Sequence, residues 1–255
     1  MHRFMEKVVI VTGAGSGIGE GVARRFAEEG AQVVLAGRTL DKLEKVQQSL
    51  PDPRAALCVQ TDVARESDVI RMVERAIETF GRIDVLVNNA GIAVEGQVDD
   101  VSVQDWKACF ATDVDGTFYG IRHALPHLRK HKGSIINISS VSGLGGDWGM
   151  SVYNAAKGAV TNFTRALAMD LGREGIRVNA VCPSLTVSEM TKDMLDNDEL
   201  MSKFIERIPL GRPAEPADIA AVVAFLASED ARFVTGVNLP VDGGLTASNG
   251  QPPQA

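Results

Sequence analysis

The sequence has few aromatic residues, few cysteines and no long uninterrupted apolar run. Phe, Trp and Tyr make up 5% of the 255 residues, so aliphatic side chains must fill the core. The three cysteines form no C-x-x-C pair, which argues against a disulfide framework or a zinc cluster. No apolar run approaches the roughly 18 residues of a membrane span, and the N-terminus lacks the pattern of a signal peptide. We therefore expect a cytoplasmic protein with reduced thiols.

An excess of basic residues is also missing. The formal net charge is −7 and the Lys and Arg residues are scattered, which argues against nucleic acid or an anionic membrane as the main partner. Three histidines, His123, His127 and His131, are spaced four apart on a predicted helix that Pro126 interrupts. Three ligands along one helix cannot converge on a tetrahedral ion. We predict no metal site and a small-molecule partner.

Short β-branched runs alternate with helical patterns along the whole chain, which predicts an α/β fold with right-handed crossovers. We expect one domain over residues 1–255: a Rossmann-type, doubly wound parallel sheet of about seven strands, with helices on both faces. Residues 185–209 contain no strand pattern and are predicted to form a substrate lid, and residues 242–255 a C-terminal tail. The predicted strands are Lys7–Thr12, Gln32–Ala36, Ala56–Gln60, Ile83–Asn88, Ser134–Ile138, Arg177–Cys182 and Gly236–Leu239.

A glycine-rich turn follows the first predicted strand. Gly13, Gly17 and Gly19 form the pattern T-G-x-x-x-G-x-G, with Ser16 and Ile18 between them, and a helical pattern comes next. A turn of this kind lets backbone N–H groups approach a pyrophosphate at the positive end of a helix. The pattern therefore predicts a dinucleotide site.

The end of the second predicted strand indicates which dinucleotide binds. An acid there would accept a hydrogen bond from the ribose 2′-hydroxyl, but this sequence has Gly37 followed by Arg38. A guanidinium suits a phosphate dianion, so NADP is favoured over NAD. The alternative is that Arg38 is a solvated cation, or stacks on adenine, and that NAD is used.

The segment Y-N-A-A-K places Tyr153 and Lys157 on one face of a predicted helix. An ammonium near a phenol lowers its pKa, which provides an acid and base usable near neutral pH. Ser140 ends the fifth strand region, at the sheet edge where ligands bind in such folds, and its hydroxyl can orient a substrate oxygen. Asn89, Ala90 and Gly91 follow the fourth strand at the same edge.

Together these motifs resemble the short-chain dehydrogenase/reductase family over essentially the whole chain. The resemblance implies that Tyr153 gives or takes the hydroxyl proton, that Lys157 holds the nicotinamide ribose and tunes Tyr153, and that Ser140 steadies the carbonyl. A hydride would pass between nicotinamide C4 and the substrate carbon. The remaining implied cofactor contacts are Asp62 with Val63 near adenine, Asn89 near the adenosine ribose, and Thr186 and Ser188 near the carboxamide and phosphates.

Two positions depart from the family pattern. The fourth catalytic residue of the family is usually asparagine, seven positions after the tryptophan that is Trp106 here, but this chain has Asp113. Aspartate can accept the same hydrogen bonds and adds negative charge near Lys157, so we expect activity to survive. Ser184 stands where the family usually has glycine.

Several segments resemble one subgroup, the meso-2,3-butanediol dehydrogenases (acetoin/diacetyl reductases): TDVDG, SVSGLGGDWG, VCPSL and GGLTASNGQP. This resemblance implies a small vicinal diol or hydroxyketone as substrate, with Ser142, Asp147 and Trp148 as contacts beside Ser140 and Tyr153. Other secondary alcohols, sugars, steroids and 3-oxoacyl thioesters stay open. So do an idle NAD(P)-binding sensor and an epimerase or dehydratase.

The resemblance also implies an assembly. Family members of this length usually form dimers or tetramers through long helices that correspond to residues 119–130 and 154–172. We expect a homotetramer in which the tail from Thr246 to Gln254 crosses a subunit boundary.

Overall fold

Seven short strands form one parallel sheet at the centre of the structure, a computed structural model that describes residues 2–251. The predicted parallel α/β sheet is thereby confirmed, and the predicted strands differ from the observed ones only at their ends. The strands are β1 Val8–Thr12, β2 Gln32–Gly37, β3 Ala56–Gln60, β4 Val85–Asn88, β5 Ser134–Ile138, β6 Arg177–Pro183 and β7 Asn238–Val241.

Helices connect the strands on both faces of the sheet. The helix that carries the spaced histidines continues through Pro126, where we predicted an interruption. None of the helices in the part of the chain described here has the length and apolar character needed to cross a membrane. The helices are α1 Gly17–Glu28, α2 Leu40–Gln48, α3 Glu66–Phe80, α4 Val103–Phe110, α5 Gly116–His131, α6 Ser151–Leu171, α7 Lys192–Leu195, α8 Asp198–Arg207 and α9 Pro216–Ala227.

The sheet is buried on both faces, as its strand sequences require. Every residue of β1, β4 and β5 is buried, so these strands are mostly apolar and do not alternate between apolar and exposed polar positions. On one face the core contains Phe26 of α1, Leu43 of α2 and Val223 of α9. On the other it contains Met72 of α3 and Leu128 of α5. The result is a three-layer α/β/α arrangement.

The strand order is β3-β2-β1-β4-β5-β6-β7. The chain builds the sheet outward from β1 in one direction up to β3 and then in the other direction from β4 to β7. Chain connections leave the sheet in opposite directions between β1 and β4 and open a crevice beyond the carboxyl ends of the strands. The Thr12 hydroxyl oxygen joins the two strand ends, because it accepts hydrogen bonds from the backbone N–H groups of Asn89 (2.9 Å) and Ala90 (3.1 Å).

The predicted lid, residues 185–209, contains α7 and α8 within its described length. At its start it is tied to the rest of the fold by an isolated strand-like pairing of Thr186 with Ala214. Just beyond its end, the backbone N–H of Leu210 donates to the carbonyl oxygen of Gly243 (3.1 Å). The Asp242 carboxylate shapes this turn by accepting from the backbone of Thr246 (2.8 Å). Residues 252–255 of the predicted tail lie outside the described residues.

At the opposite edge of the sheet, Asp84 connects the starts of β1 and β4. Its buried carboxylate accepts from the backbone N–H of Val8 (3.0 Å) and pairs with Arg82 (2.6 Å) and Lys7 (3.3 Å). Burial alone would raise the pKa of Asp84, but the hydrogen bonds and the two cations outweigh it and lower this pKa. A carboxyl whose pKa is lower in the folded state stabilises that state above its unfolded pKa, and the stabilisation is lost as the pH falls through the folded value.

We expect Asp84→Asn to reduce the free energy of unfolding at pH 7 by about 2–3 kcal/mol, because a largely buried ion pair loses its anion while its cations keep some contact with water. The difference from the wild type should shrink as the pH falls below about 4, where the unfolded carboxyl is protonated. Urea denaturation at pH 7 and pH 3 measures both effects. The matched control is Asp52→Asn, which breaks an exposed pair with Arg54 and should leave stability unchanged. If the two proteins differed in free energy of unfolding by the same amount at pH 7 and pH 3, the lowered pKa of Asp84 would not contribute to stability.

Candidate active site

A cleft of about 430 Å³ lies beyond the carboxyl ends of the strands, where β1 and β4 diverge. All the residues predicted to contact the cofactor lie on its wall, although their roles stay predictions. These residues are Gly13, Ser16, Gly17, Ile18, Gly19, Arg38, Asp62, Val63, Asn89, Ala90, Gly91, Tyr153, Lys157, Thr186 and Ser188.

The glycine-rich turn forms the floor of the cleft and leads into α1. A Cβ on Gly19 would lie 2.1 Å from the carbonyl oxygen of Gly13, so only glycine fits at this close approach. Ser16 stands at the N-cap of α1, but its side chain makes no capping hydrogen bond. The first-turn N–H groups of α1 therefore lack a side-chain cap, and they lie at the positive end of the helix dipole. This cradle fits the pyrophosphate of a dinucleotide.

The side chains of Asn89 and Asp62 make hydrogen bonds to the backbone of the loops that line this cleft. The Asn89 side-chain amide donates to the carbonyl oxygens of Thr12 (2.8 Å) and Gly13 (3.3 Å), so it braces the glycine turn. The Asp62 carboxylate accepts from the backbone N–H of Ala64 (3.1 Å) at the start of the loop after β3. Both residues keep a place on the cleft wall while they shape it.

At the end of β2, Arg38 stands exposed at the mouth of the cleft. Among residues 2–251 no carboxylate pairs with its guanidinium. A second cation lies on the same wall: the Lys42 ammonium pairs with the Glu189 carboxylate of the lid at 2.6 Å. The charged side chains at this end of the cleft are therefore Arg38 and Lys42, with the carboxylates of Asp62 and Glu189 on the same wall.

At the other end of the cleft, α6 carries Tyr153 and Lys157 one turn apart. The Lys157 ammonium lies 5.6 Å from the centre of the Tyr153 ring and donates to the carbonyl oxygen of Ile138 (3.1 Å). It also pairs with the Asp113 carboxylate at 3.0 Å, and both side chains of this pair are almost fully buried.

Asp113 reaches Lys157 from a local irregularity in the helix that precedes β5. Residues 111–115 form a turn of π-helix between α4 and α5, a feature that often marks functional positions. The backbone N–H of Ile92 donates to the second Asp113 carboxylate oxygen (2.8 Å). A Cβ on Gly91 would lie 3.0 Å from Asp113 and 3.2 Å from the Lys157 ammonium, so glycine leaves room for the pair.

The electrostatics of this cluster differ from the sequence prediction in one respect. Burial works to lower the pKa of Lys157, but Asp113 and Tyr153 outweigh it and raise this pKa, so the ammonium stays charged. Lys157 acts to lower the pKa of Tyr153, as we predicted, but the expected net lowering is not found. Burial is the largest influence and raises the pKa of Tyr153, Lys157 and Ser140 oppose it, and Asp113 adds to the increase. The phenol is therefore the stable form at neutral pH.

Ser140 follows β5 on the same wall as Tyr153. Its hydroxyl oxygen accepts from the backbone N–H of Ser142 (3.1 Å) and donates a long hydrogen bond to the carbonyl oxygen of Pro183 (3.5 Å). The weak donor bond leaves this hydroxyl ready to turn toward a better acceptor in the cleft.

The loop after Ser140 does not bring its predicted substrate contacts to the cleft wall. The Ser142 hydroxyl donates to the Asp147 carboxylate, so the two polar groups satisfy each other within the loop. Trp148 is 99% exposed. The Asn154 side-chain amide fixes the loop by donating to the carbonyl oxygens of Ser142 (2.7 Å) and Gly145 (2.8 Å).

The sequence analysis missed several residues that shape the site. Lys42 comes four positions after Arg38 at the start of a helix, a spacing that could have indicated a second cation. Glu189 and Met190 line the cleft from the segment 185–209, and Ile92 contributes through its backbone and its place on the wall. No local pattern identifies Glu189 or Ile92, whereas the methionines of residues 185–209 make Met190 a candidate for the lining of an apolar lid.

Comparisons with known proteins agree with this architecture. A family model described as enoyl-(acyl carrier protein) reductase matches residues 13–246. The meso-2,3-butanediol dehydrogenase of Serratia marcescens is 54% identical over 250 residues, 98% of each chain. The glucose 1-dehydrogenase of Gluconobacter oxydans is 41% identical over 96% of this chain and 93% of that enzyme. The NADP-dependent (R)-specific alcohol dehydrogenase of Lentilactobacillus kefiri is 38% identical over 96% of this chain and 98% of that enzyme. The chain belongs to the short-chain dehydrogenase/reductase family.

Proposed function

We propose that this protein is an NAD(P)-dependent oxidoreductase that interconverts a small vicinal diol and the corresponding hydroxyketone, with 2,3-butanediol and acetoin as the leading pair. The observation that carries the reaction type is the cluster of Ser140, Tyr153 and Lys157 on one wall of a cleft that fits a dinucleotide. The substrate class is supported by the 54% identity to a meso-2,3-butanediol dehydrogenase over nearly the whole chain.

In this proposal the nicotinamide cofactor, when bound, supplies or accepts the hydride. Tyr153 donates its phenolic proton to the carbonyl oxygen during reduction and takes the hydroxyl proton during oxidation. Lys157 stabilises the phenolate that reduction leaves, and Ser140 donates a hydrogen bond to the substrate oxygen. The raised pKa of Tyr153 agrees with a protonated phenol, the form that donates its proton during reduction.

The wall around Tyr153 is uncharged apart from Lys157. It includes Ile92, Ser140 and Ser184, and Met190 of the lid lies on the same cleft. Small apolar and hydroxyl groups suit a neutral substrate of a few carbon atoms.

We further propose that NADP is preferred over NAD. Arg38 supports this preference, because its guanidinium is exposed at the end of β2 without a paired carboxylate among residues 2–251. A 2′-phosphate would offer it paired, charge-assisted hydrogen bonds.

We also infer a cytoplasmic homotetramer. Exposed apolar side chains on the outer helices support assembly: Phe118 of α5 is 42% exposed and Met169 of α6 is 83% exposed. The two helices are neighbours, since the rings of Phe118 and Phe163 lie 6.5 Å apart. We also propose that the tail from Thr246 to Gln254 crosses a subunit boundary. Residues 252–254 of this tail lie outside the described residues.

The reaction is tested by initial-rate absorbance with NADPH and NADH against diacetyl and acetoin. We expect oxidation of the cofactor with at least one of these substrates, and a loss of at least about a hundredfold in Tyr153→Phe because the proton donor is removed. The variant should still bind the cofactor, which a fluorescence titration measures. Equal turnover by wild type and Tyr153→Phe would contradict the assigned role. Binding without turnover across diketones, sugars, steroids and acyl thioesters would instead indicate an idle sensor.

Arg38→Ala should reduce kcat/KM for NADPH by about ten- to a hundredfold, since hydrogen bonds to charged groups contribute about 1.5–3 kcal/mol. The value for NADH should change little. Steady-state kinetics with both cofactors measure the ratio. Arg75→Ala removes an exposed arginine of α3 that does not line the cleft and should change neither value. Equal losses for the two cofactors would show that Arg38 does not read the phosphate.

Asp113→Asn tests the charge beside Lys157. Because the Asp113 carboxylate raises the pKa of Tyr153, its removal should move the pH dependence of alcohol oxidation to lower pH. The measurement is kcat against pH, with Asp115→Asn as control, because Asp115 is an exposed carboxylate of the same π turn. An unchanged profile would show that the charge is idle. A shift to higher pH would mean that Asp113 acts mainly by keeping Lys157 protonated.

A further inference from the structure

The Lys42–Glu189 ion pair joins the nucleotide end of the cleft to the lid. We propose that Lys42 is a second cation for the 2′-phosphate of NADP and that Glu189 competes with this phosphate for it. This inference rests on the proposed function, because it assigns a further specificity-determining residue to the same site. According to this proposal, a residue of the predicted lid, as well as the residue after β2, affects the choice between NADP and NAD.

The position of Lys42 follows from how α2 begins. Arg38 and Thr39 follow β2, Thr39 is the N-cap, and Lys42 lies in the first helical turn. A Cβ on Gly15 would lie 3.1 Å from the Lys42 Cβ, so the lysine stands directly beside the glycine turn. Its side chain lines the same cleft as Arg38. The two cations therefore flank the region where the adenosine ribose follows the pyrophosphate.

Glu189 is held in place by the first turn of the lid. It opens the 3-10 turn Glu189–Thr191, in which Ser188 and Thr191 form a reciprocal capping box. The Thr191 hydroxyl also donates to the carbonyl oxygen of Thr186 (2.6 Å), which ties the turn to the cleft wall. The Glu189 carboxylate is thus a positioned anion on the cleft wall, 2.6 Å from the Lys42 ammonium.

The pair is suited to exchange because it is open to water. The Lys42 and Glu189 side chains are 44% and 66% exposed. An exposed pair contributes about 0–1 kcal/mol, so a phosphate that carries nearly two negative charges can replace the carboxylate on Lys42. NAD has no phosphate at this position, and its binding leaves the pair intact.

Replacing Glu189 should therefore help NADPH alone. We expect Glu189→Gln to tighten NADPH binding by about two- to fivefold, the range that an exposed ion pair allows, and to leave NADH binding unchanged. Lys42→Gln should weaken NADPH binding by about three- to tenfold and should abolish the effect of Glu189→Gln in the double variant. All these differences should shrink at high salt.

The experiment is a fluorescence titration of the full chain with NADPH and with NADH, without substrate. Two control variants match the charge changes: Lys45→Gln on the exposed face of α2, and Glu199→Gln, which breaks the Lys203 pair within the lid. Neither residue lines the cleft, so both should leave the two affinities unchanged.

Four outcomes would overturn the proposal. Glu189→Gln could change NADPH and NADH affinities equally, or its effect could persist in the Lys42→Gln background. It could also weaken NADH alone, which would show that Glu189 accepts a hydrogen bond from the 2′-hydroxyl. Each of these would leave the proposed function standing, because both cofactors still bind. If the wild type bound neither cofactor, the proposed function would fall and this inference with it.

Discussion

A buried ammonium must be neutralised, and the catalytic half of the cleft is organised around that requirement at Lys157. Removing such an ion from water costs several kcal/mol even after relaxation, so the fold has to supply compensating groups. Asp113 provides the counter-charge at 3.0 Å and the carbonyl oxygen of Ile138 provides an acceptor at 3.1 Å. The π turn at 111–115 and the glycine at position 91 both serve this arrangement, since one carries the carboxylate and the other leaves room for it.

This neutralisation contributes to the raised pKa of Tyr153, of which burial is the largest cause. An ammonium shared with a carboxylate exerts less net pull on a neighbouring phenolate than an unpaired one. With burial acting in the same direction as Asp113, the pKa of Tyr153 is raised despite the lysine next to it. An asparagine at position 113 would supply the hydrogen bond to Ile92 without the charge. The aspartate therefore acts together with burial to raise the pKa of Tyr153.

The sequence was sufficient for the sheet and for bringing the named residues to one cleft wall, because both depend on local patterns. The β-branched runs of β1 and β5 are buried on both faces, and residues that directly follow strands, such as Arg38 and Asn89, must reach the carboxyl edge. The loop after Ser140 was not foreseen in its internal bonding, because its polar groups bond to one another, as Ser142 and Asp147 do. Nothing in local spacing reveals contacts that depend on how distant segments fold together.

The two ends of the cleft use the same pairing of a lysine with a carboxylate to opposite effect, and burial is what distinguishes them. Lys157 and Asp113 are almost fully buried, so separating them would leave an uncompensated charge and the pair stays together. Lys42 and Glu189 stand in solvent, where either charge can be hydrated and the pair can exchange for another anion. A permanent pair suits catalysis, because it fixes the charge next to a proton that must move on every turnover. An exchangeable pair suits recognition, because a ligand that carries its own phosphate can take the place of the carboxylate.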